Sequence, residues 1–287
     1  MAETHYQQHL LTSLMSLAAV VEARDAYTGG HLWRVSQFSR RLALKMGLGI
    51  SDATRIEIGG FLHDVGKIAV PDAILNKRDR LTDDEYAVIK THPQSGADLL
   101  AQHPLAALAM DAVLMHHETP DGKGYPAGLH AQQIPLSAKI VGVCDAFDAM
   151  TSTRPYRAGM PLHKVLDILQ QEKGRQFDAQ CADVLCELAE DGAMNHIIGH
   201  SEPGIPLQHC IACGPTLVIP HQYRDGELLA CPACHGEYRI NARNGAFNVQ
   251  ATGEGAAAAL YTPHADVPLI KELVSSALNQ WQGLLAG

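Results

Sequence analysis

The chain has 287 residues, 46% hydrophobic and 18% charged, which places it among ordinary globular proteins and leaves room for one large and one small domain. A formal net charge of −9 excludes a general electrostatic grip on nucleic acid or an anionic membrane, so any phosphate handled here must be held by a local cluster of cations. Sixteen histidines and seven cysteines are the unusual counts, and both residue types ligate metals.

No apolar run is long enough for a membrane span, and no Lys or Arg opens the chain as in a secretory leader. The expected compartment is the cytoplasm, where paired cysteines point to metal binding and not to disulfides. Taken in order, Leu10, Leu14, Leu17, Ala18 and Val21 have helical spacing, predicting a helix from about Tyr6 to Ala26. Thr28-Gly29-Gly30 breaks it, and a second helix opens at His31 and runs to Gly47. A third, capped by Ser51 or Asp52, leads into His63-Asp64-Val65-Gly66-Lys67. Thr82 and Glu85 form a capping-box pattern for a helix over 83–92, and further helices are predicted over 96–102, 105–117, 137–151, 161–171 and 178–189. The expectation is therefore a mainly α fold, with an all-helical domain over residues 1–195.

Pro203, Gly204 and Pro206 predict a linker over 196–208. Beyond it, Cys210-x2-Cys213 and Cys231-x2-Cys234 flank short β-like runs and read as a small β zinc ribbon over 209–250. Residues 241–263 are rich in Ala, Gly and Asn and are expected to be irregular. An amphipathic helix then closes the 251–287 segment, with Leu269, Ile270, Leu273, Val274, Ala277, Leu278 and Trp281 on one stripe.

The stretch HHETPDGKGYP, 116–126, packs two adjacent imidazoles, two carboxylates, a lysine and a tyrosine around a glycine-bounded turn. Adjacent His116 and His117 make sense if both rings ligate metal beneath a loop that closes over substrate. His63 and Asp64 are also adjacent, so on a helix their side chains diverge by about 100°, which suits a carboxylate bridging two ions. His31, His92 and Asp145, each at a helix end or beside a glycine or charged neighbour, complete a candidate ligand set. Lys67, one turn after His63, can reach a phosphate as a point charge.

LHDVGK at 62–67 and HHETPDGKGYP at 116–126, with SxRPYR at 152–157 and GRQFDA at 174–179, resemble the HD-GYP subgroup of the HD metal-dependent phosphohydrolases over roughly residues 30–188. The resemblance implies a helical domain with a two- or three-metal centre that hydrolyses cyclic di-GMP to pGpG, GMP or both. It places ligands at His31, His63, Asp64, His92, His116, His117 and Asp145, with Asp64 as the bridge. Arg154 and Arg157 match positions that hold the second phosphate, and Gly122 and Tyr125 belong to the substrate loop, where Tyr125 either stacks on guanine or anchors the loop. Three-metal members carry a glutamate where this chain has Tyr27, so two ions are expected. The imidazole and carboxylate ligands and the resemblance favour iron or manganese. The activated hydroxide of a two-metal site, with Asp64 and Lys67 at the reacting centre, would attack phosphorus.

The four cysteines predict one structural zinc, although rubredoxin-like iron would use the same sulfurs. The module lacks a basic or aromatic stripe, so protein contact is expected and nucleic-acid contact is not. Partners implied by the resemblance are cyclic di-GMP and a GGDEF-domain or other protein; a homodimer is compatible. The alternatives are a low-turnover cyclic di-GMP or GGDEF-partner binding protein, and an HD hydrolase of another cyclic nucleotide.

Overall fold

The computed structural model describes residues 2–26, 28–77, 79–152, 159–243 and 246–280, so Tyr27, Arg154, Arg157 and Trp281 lie outside the described residues. Helices come first and a cysteine-bearing β region follows. Helix α1 (Ala2–Arg24) leads through the Thr28–Gly30 turn into α2 (His31–Lys45), and α3 (Ile50–Leu62) returns against α2. Leu11, Leu14 and Ala18 of α1, Val35, Phe38 and Leu42 of α2, and Ile58, Phe61 and Leu62 of α3 are all buried in one core. Their three- and four-residue spacing aligns them on single faces. Each large apolar side chain removed from water contributes about 1.5–3 kcal/mol.

The turn Val65–Ala69 is 3-10 helical, and short α4 (Asp72–Leu75) follows. Helix α5 (Asp83–Ile89) opens on the expected capping box: Glu85 N–H donates to Thr82 Oγ1, and Thr82 N–H to the Glu85 carboxylate. It stops before His92, which starts α6 (His92–Leu100) instead of ending α5. The cause is Pro93: without an N–H it fits a first helical turn but not an interior. The single helix expected over 105–117 is also interrupted, because Ala109 has φ −127°. A 3-10 turn at Ala106–Leu108 precedes α7 (Met110–Met115). Helix α8 (Leu136–Thr151) packs on α2, Phe147 meeting Phe38 edge to face at 5.1 Å. Helices α9 (Leu162–Gln171) and α10 (Ala179–Glu190) complete the domain, and Asp178 caps α10 by accepting from Gln180 and Cys181.

Two sequence expectations change in the C-terminal third. The predicted linker is a docked hairpin, β1 (His200–Glu202) antiparallel to β2 (Ile205–Pro206), with Ser201 and Glu202 buried. Its Pro/Gly composition serves a tight turn: Gly204 has φ 77°. Strands β3 (Gln208–His209) and β4 (Thr216–Leu217) pair next, and β5 (Leu228–Ala230), β6 (Gly236–Arg243) and β7 (Ala246–Gly255) form a three-stranded antiparallel sheet. Residues 246–255 are therefore not irregular. Ala246, Asn248 and Gln250 are exposed on this edge strand while Phe247 and Val249 pack against the module's core, and pairing with β6 satisfies the backbone. A core of Ile205, Leu217, Ile219, Leu229, Tyr238 and Ile240 closes around Cys210 and Cys231. Helix α11 (Val267–Gln280) then returns to α1 and α3, burying Ile270, Val274 and Ala277. Among the described residues no helix is long and apolar enough to cross a membrane.

Candidate metal centre

The ends of helices bring the candidate ligands together. His31 is the first residue of α2, His63 caps the C-terminus of α3 with Asp64 next to it, and His92 begins α6. His116 caps α7, His117 follows it, and Asp145 projects from α8. Gly66 permits this convergence: a Cβ there would overlap the His92 carbonyl and Gly96 nitrogen, so only glycine lets the 3-10 turn pass this close to α6.

The rings are held in one tautomer by the backbone. His63 Nδ1 donates to Gly60 O at 2.8 Å, His92 Nδ1 to Ile89 O at 2.7 Å and His116 Nδ1 to Ala112 O at 2.8 Å. A carbonyl only accepts, so Nδ1 carries the proton and Nε2 of each neutral ring presents a lone pair. Those lone pairs converge. His92 Nε2 lies 3.2 Å from His116 Nε2, and His63 Nε2 is buried without a hydrogen-bond partner among the described residues. Two lone pairs face to face repel unless a cation lies between them, so the donor set fits a metal centre.

Asp64 sits between two groups. Its Oδ2 is 3.3 Å from His63 Nε2 and 3.7 Å from His31 Nε2, while Oδ1 is 3.3 Å from His92 Nε2. Asp145 Oδ1 adds a contact of 3.3 Å to His31. The donor atoms of His31, His63 and Asp64 lie within 4.8 Å of one another, as do those of His92, His116 and His117. Burial holds the His116 pKa well below its ordinary value, helped by His117, His63 and His92, and pushes His117 down to about 4. Burial also acts to lower the His31 pKa, but hydrogen bonds and charge from Asp145 and Asp148 outweigh it and push it up to about 9. Burial would raise the Asp64 carboxyl, yet Lys67 and His63 hold it well below the usual carboxylate range. Lys67 Nζ lies 2.7 Å from Asp64 Oδ2 and 3.7 Å from Asp25 Oδ2.

A cleft of about 610 Å³ opens over this cluster, within the usual size of a small-molecule site. Its wall includes His117, Tyr125, Lys90, Lys123 and Lys139. Glu118 shapes the loop by accepting from the N–H groups of Ala127 at 2.6 Å and Leu129 at 2.8 Å. Tyr125 stacks on His117 with centroids 4.6 Å apart, so one ring face is occupied in anchoring the loop. Gly122, at φ 74°, makes the turn and donates its N–H to Thr119 O.

Two contributors were not visible in the sequence reading. Arg34, one turn after His31 on the same helix face, forks onto Asp148 through Nε at 2.5 Å and Nη2 at 3.0 Å. Asp148 Oδ2 in turn accepts from His31 Nδ1 at 2.7 Å. The other is Lys139 of α8, whose Nζ is 3.4 Å from Asp178. The i, i+3 relation to His31 was the available signal for Arg34.

The sulfurs of Cys210, Cys213, Cys231 and Cys234 form a second cluster, with Sγ separations of 3.5 Å, 3.5 Å and 3.6 Å. A tetrahedron with metal–sulfur bonds of about 2.3 Å has edges of about 3.8 Å, so this donor set also fits a cation.

Over 175 residues the chain is 42% identical to the cyclic di-GMP phosphodiesterase response regulator RpfG of Xanthomonas campestris pv. campestris, a match covering 60% of this chain and 46% of that protein. It is 36% identical over 190 residues to a cyclic di-GMP phosphodiesterase of Thermotoga maritima, covering 66% of this chain and 52% of that one. A 3'3'-cGAMP-specific phosphodiesterase 2 of Vibrio cholerae is 37% identical over 174 residues, covering 60% and 33% respectively. The chain thus spans about half or less of the length of these relatives. Residues 15–181 match the family described as HD domain. That match begins inside α1, ends inside α10 and takes in more than half of the chain, and the protein therefore belongs to the HD domain family.

Proposed function

We propose that this chain is a metal-dependent phosphodiesterase that hydrolyses cyclic di-GMP to pGpG, GMP or both. The observation that carries the reading is Asp64, whose two oxygens face separate groups of inward-turned imidazole nitrogens. His31, His63 and Asp145 would hold one divalent cation, His92, His116 and His117 a second, and Asp64 would be shared. Bound there, two cations supply Lewis acidity towards a phosphoryl oxygen and acidify water at neutral pH. Iron or manganese suits the nitrogen and oxygen donors, and the four-sulfur site suits zinc.

The chain's own residues do the rest. Lys67 neutralises Asp64 and stands at the edge of the cluster, where an incoming phosphate would meet its ammonium group. Lys90, Lys123 and Lys139 line the cleft beside Glu118, Asp145 and Asp178, and their ammonium groups offer local partners for a ligand with two phosphates. Arg154 and Arg157 are proposed for the second phosphate. Tyr125 and Glu118 keep the loop over the reacting centre and limit access of bulk water.

The test is turnover by anaerobically purified, iron- or manganese-loaded protein, with linear products separated by chromatography. No pGpG or GMP above an Asp64→Asn control would refute the reading. A hybrid cyclic dinucleotide is the second candidate substrate, favoured by the similarity to the 3'3'-cGAMP-specific enzyme. Parallel assays with cyclic di-GMP, 3'3'-cGAMP and cyclic di-AMP separate the two. Tight binding without product would instead identify a receptor.

A further inference from the structure

We propose that the four-cysteine module governs the His31 corner of the metal centre: a thiophilic divalent cation on Cys210, Cys213, Cys231 and Cys234 keeps β1 seated, and the seated His200 carbonyl fixes Arg34, Asp148 and thereby His31. The inference rests on the histidine cluster being a metal centre.

Arg34 is 2% exposed and its guanidinium uses both ends. One side forks onto Asp148; on the other, Nη1 donates to Gly29 O at 3.1 Å and to His200 O at 2.9 Å. The His200 carbonyl is the acceptor supplied from outside the helical domain. A buried donor that loses its acceptor costs about 1–3 kcal/mol, more when charged, so a displaced β1 forces this guanidinium to find another arrangement. Asp148 cannot stay in place when its fork turns, and it is the group that orients His31 through Nδ1.

The backbone just before His31 carries the same dependence. A Cβ on Gly30 would lie 2.6 Å from Ser201 Cα, and one on Gly29 would lie 3.3 Å from Thr216 Cγ2 and overlap Val218. So β1 and the segment after Cys213 rest directly on the turn that launches α2. Ala230 and Pro232, on either side of Cys231, line the same cavity of about 180 Å³ as Gly29, Gly30 and Trp33. Both cysteine pairs are thus tied to this face. The module's own apolar core is small, and small metal modules owe much of their folding free energy to the ion. Losing the ion therefore loosens the contact that positions one ligand of the other centre.

The experiment uses the full chain with zinc supplied to the cysteines, and reads Mn(II) affinity at the histidine centre by electron paramagnetic resonance, with hydrogen exchange at residues 28–36. Cys231→Ser/Cys234→Ser is expected to lose zinc, exchange faster at 28–36 and bind Mn(II) about 10–100-fold more weakly. Arg34→Lys, which keeps the charge but not the fork, is expected to retain zinc and show the same weakening. If the cysteine variant does not fold, Arg34→Lys decides alone, and unchanged Mn(II) affinity there overturns the proposal. A folded, zinc-free cysteine variant with wild-type Mn(II) affinity also overturns it, as does a wild-type chain that takes no zinc. Activity plays no part in the readout, so a loaded but inactive protein counts against cyclic dinucleotide hydrolysis alone.

Discussion

Replacing Asp148 by asparagine conserves volume and removes a charge that Arg34 and His31 share. The carboxylate accepts from Arg34 Nε at 2.5 Å, Arg34 Nη2 at 3.0 Å and His31 Nδ1 at 2.7 Å, with its side chain 2% exposed. An amide offers one acceptor oxygen, and its NH2 then faces either the guanidinium or the imidazole N–H, donor against donor. Removing one partner of a buried ion pair costs about 3–5 kcal/mol; asparagine keeps one bond to Arg34, so the expected loss is about 3 kcal/mol. For a chain of this size that lowers Tm by roughly 6–12 °C. The released His31 ring should also weaken metal binding by about 10–100-fold. Calorimetry of metal-free protein at pH 7 and a Mn(II) titration measure the two effects. The sign with pH is fixed as well. Burial alone would raise the Asp148 carboxyl, but Arg34 and His31 hold it below its ordinary value. Its contribution is therefore present above the unfolded-state value of about 3.9 and fades as pH falls further, so the variant's deficit should narrow below about pH 4. An Asp148→Asn protein that melts with the wild type and holds Mn(II) as tightly would refute the strut from Arg34 to His31.

Three further outcomes follow from other contacts. Gly66→Ala would drive a methyl into the His92 carbonyl and Gly96 nitrogen, and should cost about 1–3 kcal/mol in urea denaturation while reducing metal stoichiometry, since His92 must move. Because Asp145 and Asp148 push the His31 pKa up to about 9, a cation entering at neutral pH must displace that proton. Titration calorimetry in two buffers of different ionisation enthalpy should find one proton released and affinity rising as pH approaches 9; no proton release would show a neutral ring. Glu202 is buried beside Asp266, and burial and that charge push its pKa up to about 7 despite the His221 contact at 2.8 Å. A raised acid stabilises the fold below its unfolded value of about 4.5 and loses that contribution as pH rises through 7, by about 1–3 kcal/mol. Glu202→Gln should flatten the decline of Tm between pH 5 and pH 8, and an unchanged slope would exclude Glu202 as its source.

The helices of the N-terminal domain were legible because their apolar spacing is regular and their breaks fall at glycine, and Thr82 with Glu85 stated a start outright. The candidate ligands were legible because histidine and aspartate stand side by side at 63–64 and histidines at 116–117. His92 was assigned to the wrong helix because helical spacing continues across it, while Pro93 fixes it at a start. Arg34 stayed hidden for a different reason. Its partners Asp148 and the His200 carbonyl are 114 and 166 positions away, and one of them is a backbone oxygen that no residue type announces. Strand β7 escaped notice because its alternation is short, with only Phe247 and Val249 turned inward between exposed Ala246, Asn248 and Gln250; the bonds to β6 make it a strand. The tautomer of the rings was equally unreadable, since it depends on which carbonyl lies behind each imidazole.

That last arrangement decides where the centre can be adjusted. His63, His92 and His116 each donate an Nδ1–H hydrogen bond to a main-chain oxygen three or four residues earlier, so neighbouring side chains can drift without turning those rings. His31 is different: its hidden nitrogen leans on a replaceable carboxylate. These three rings are oriented by the backbone itself, while His31 is left editable, within reach of the segment that follows the helices.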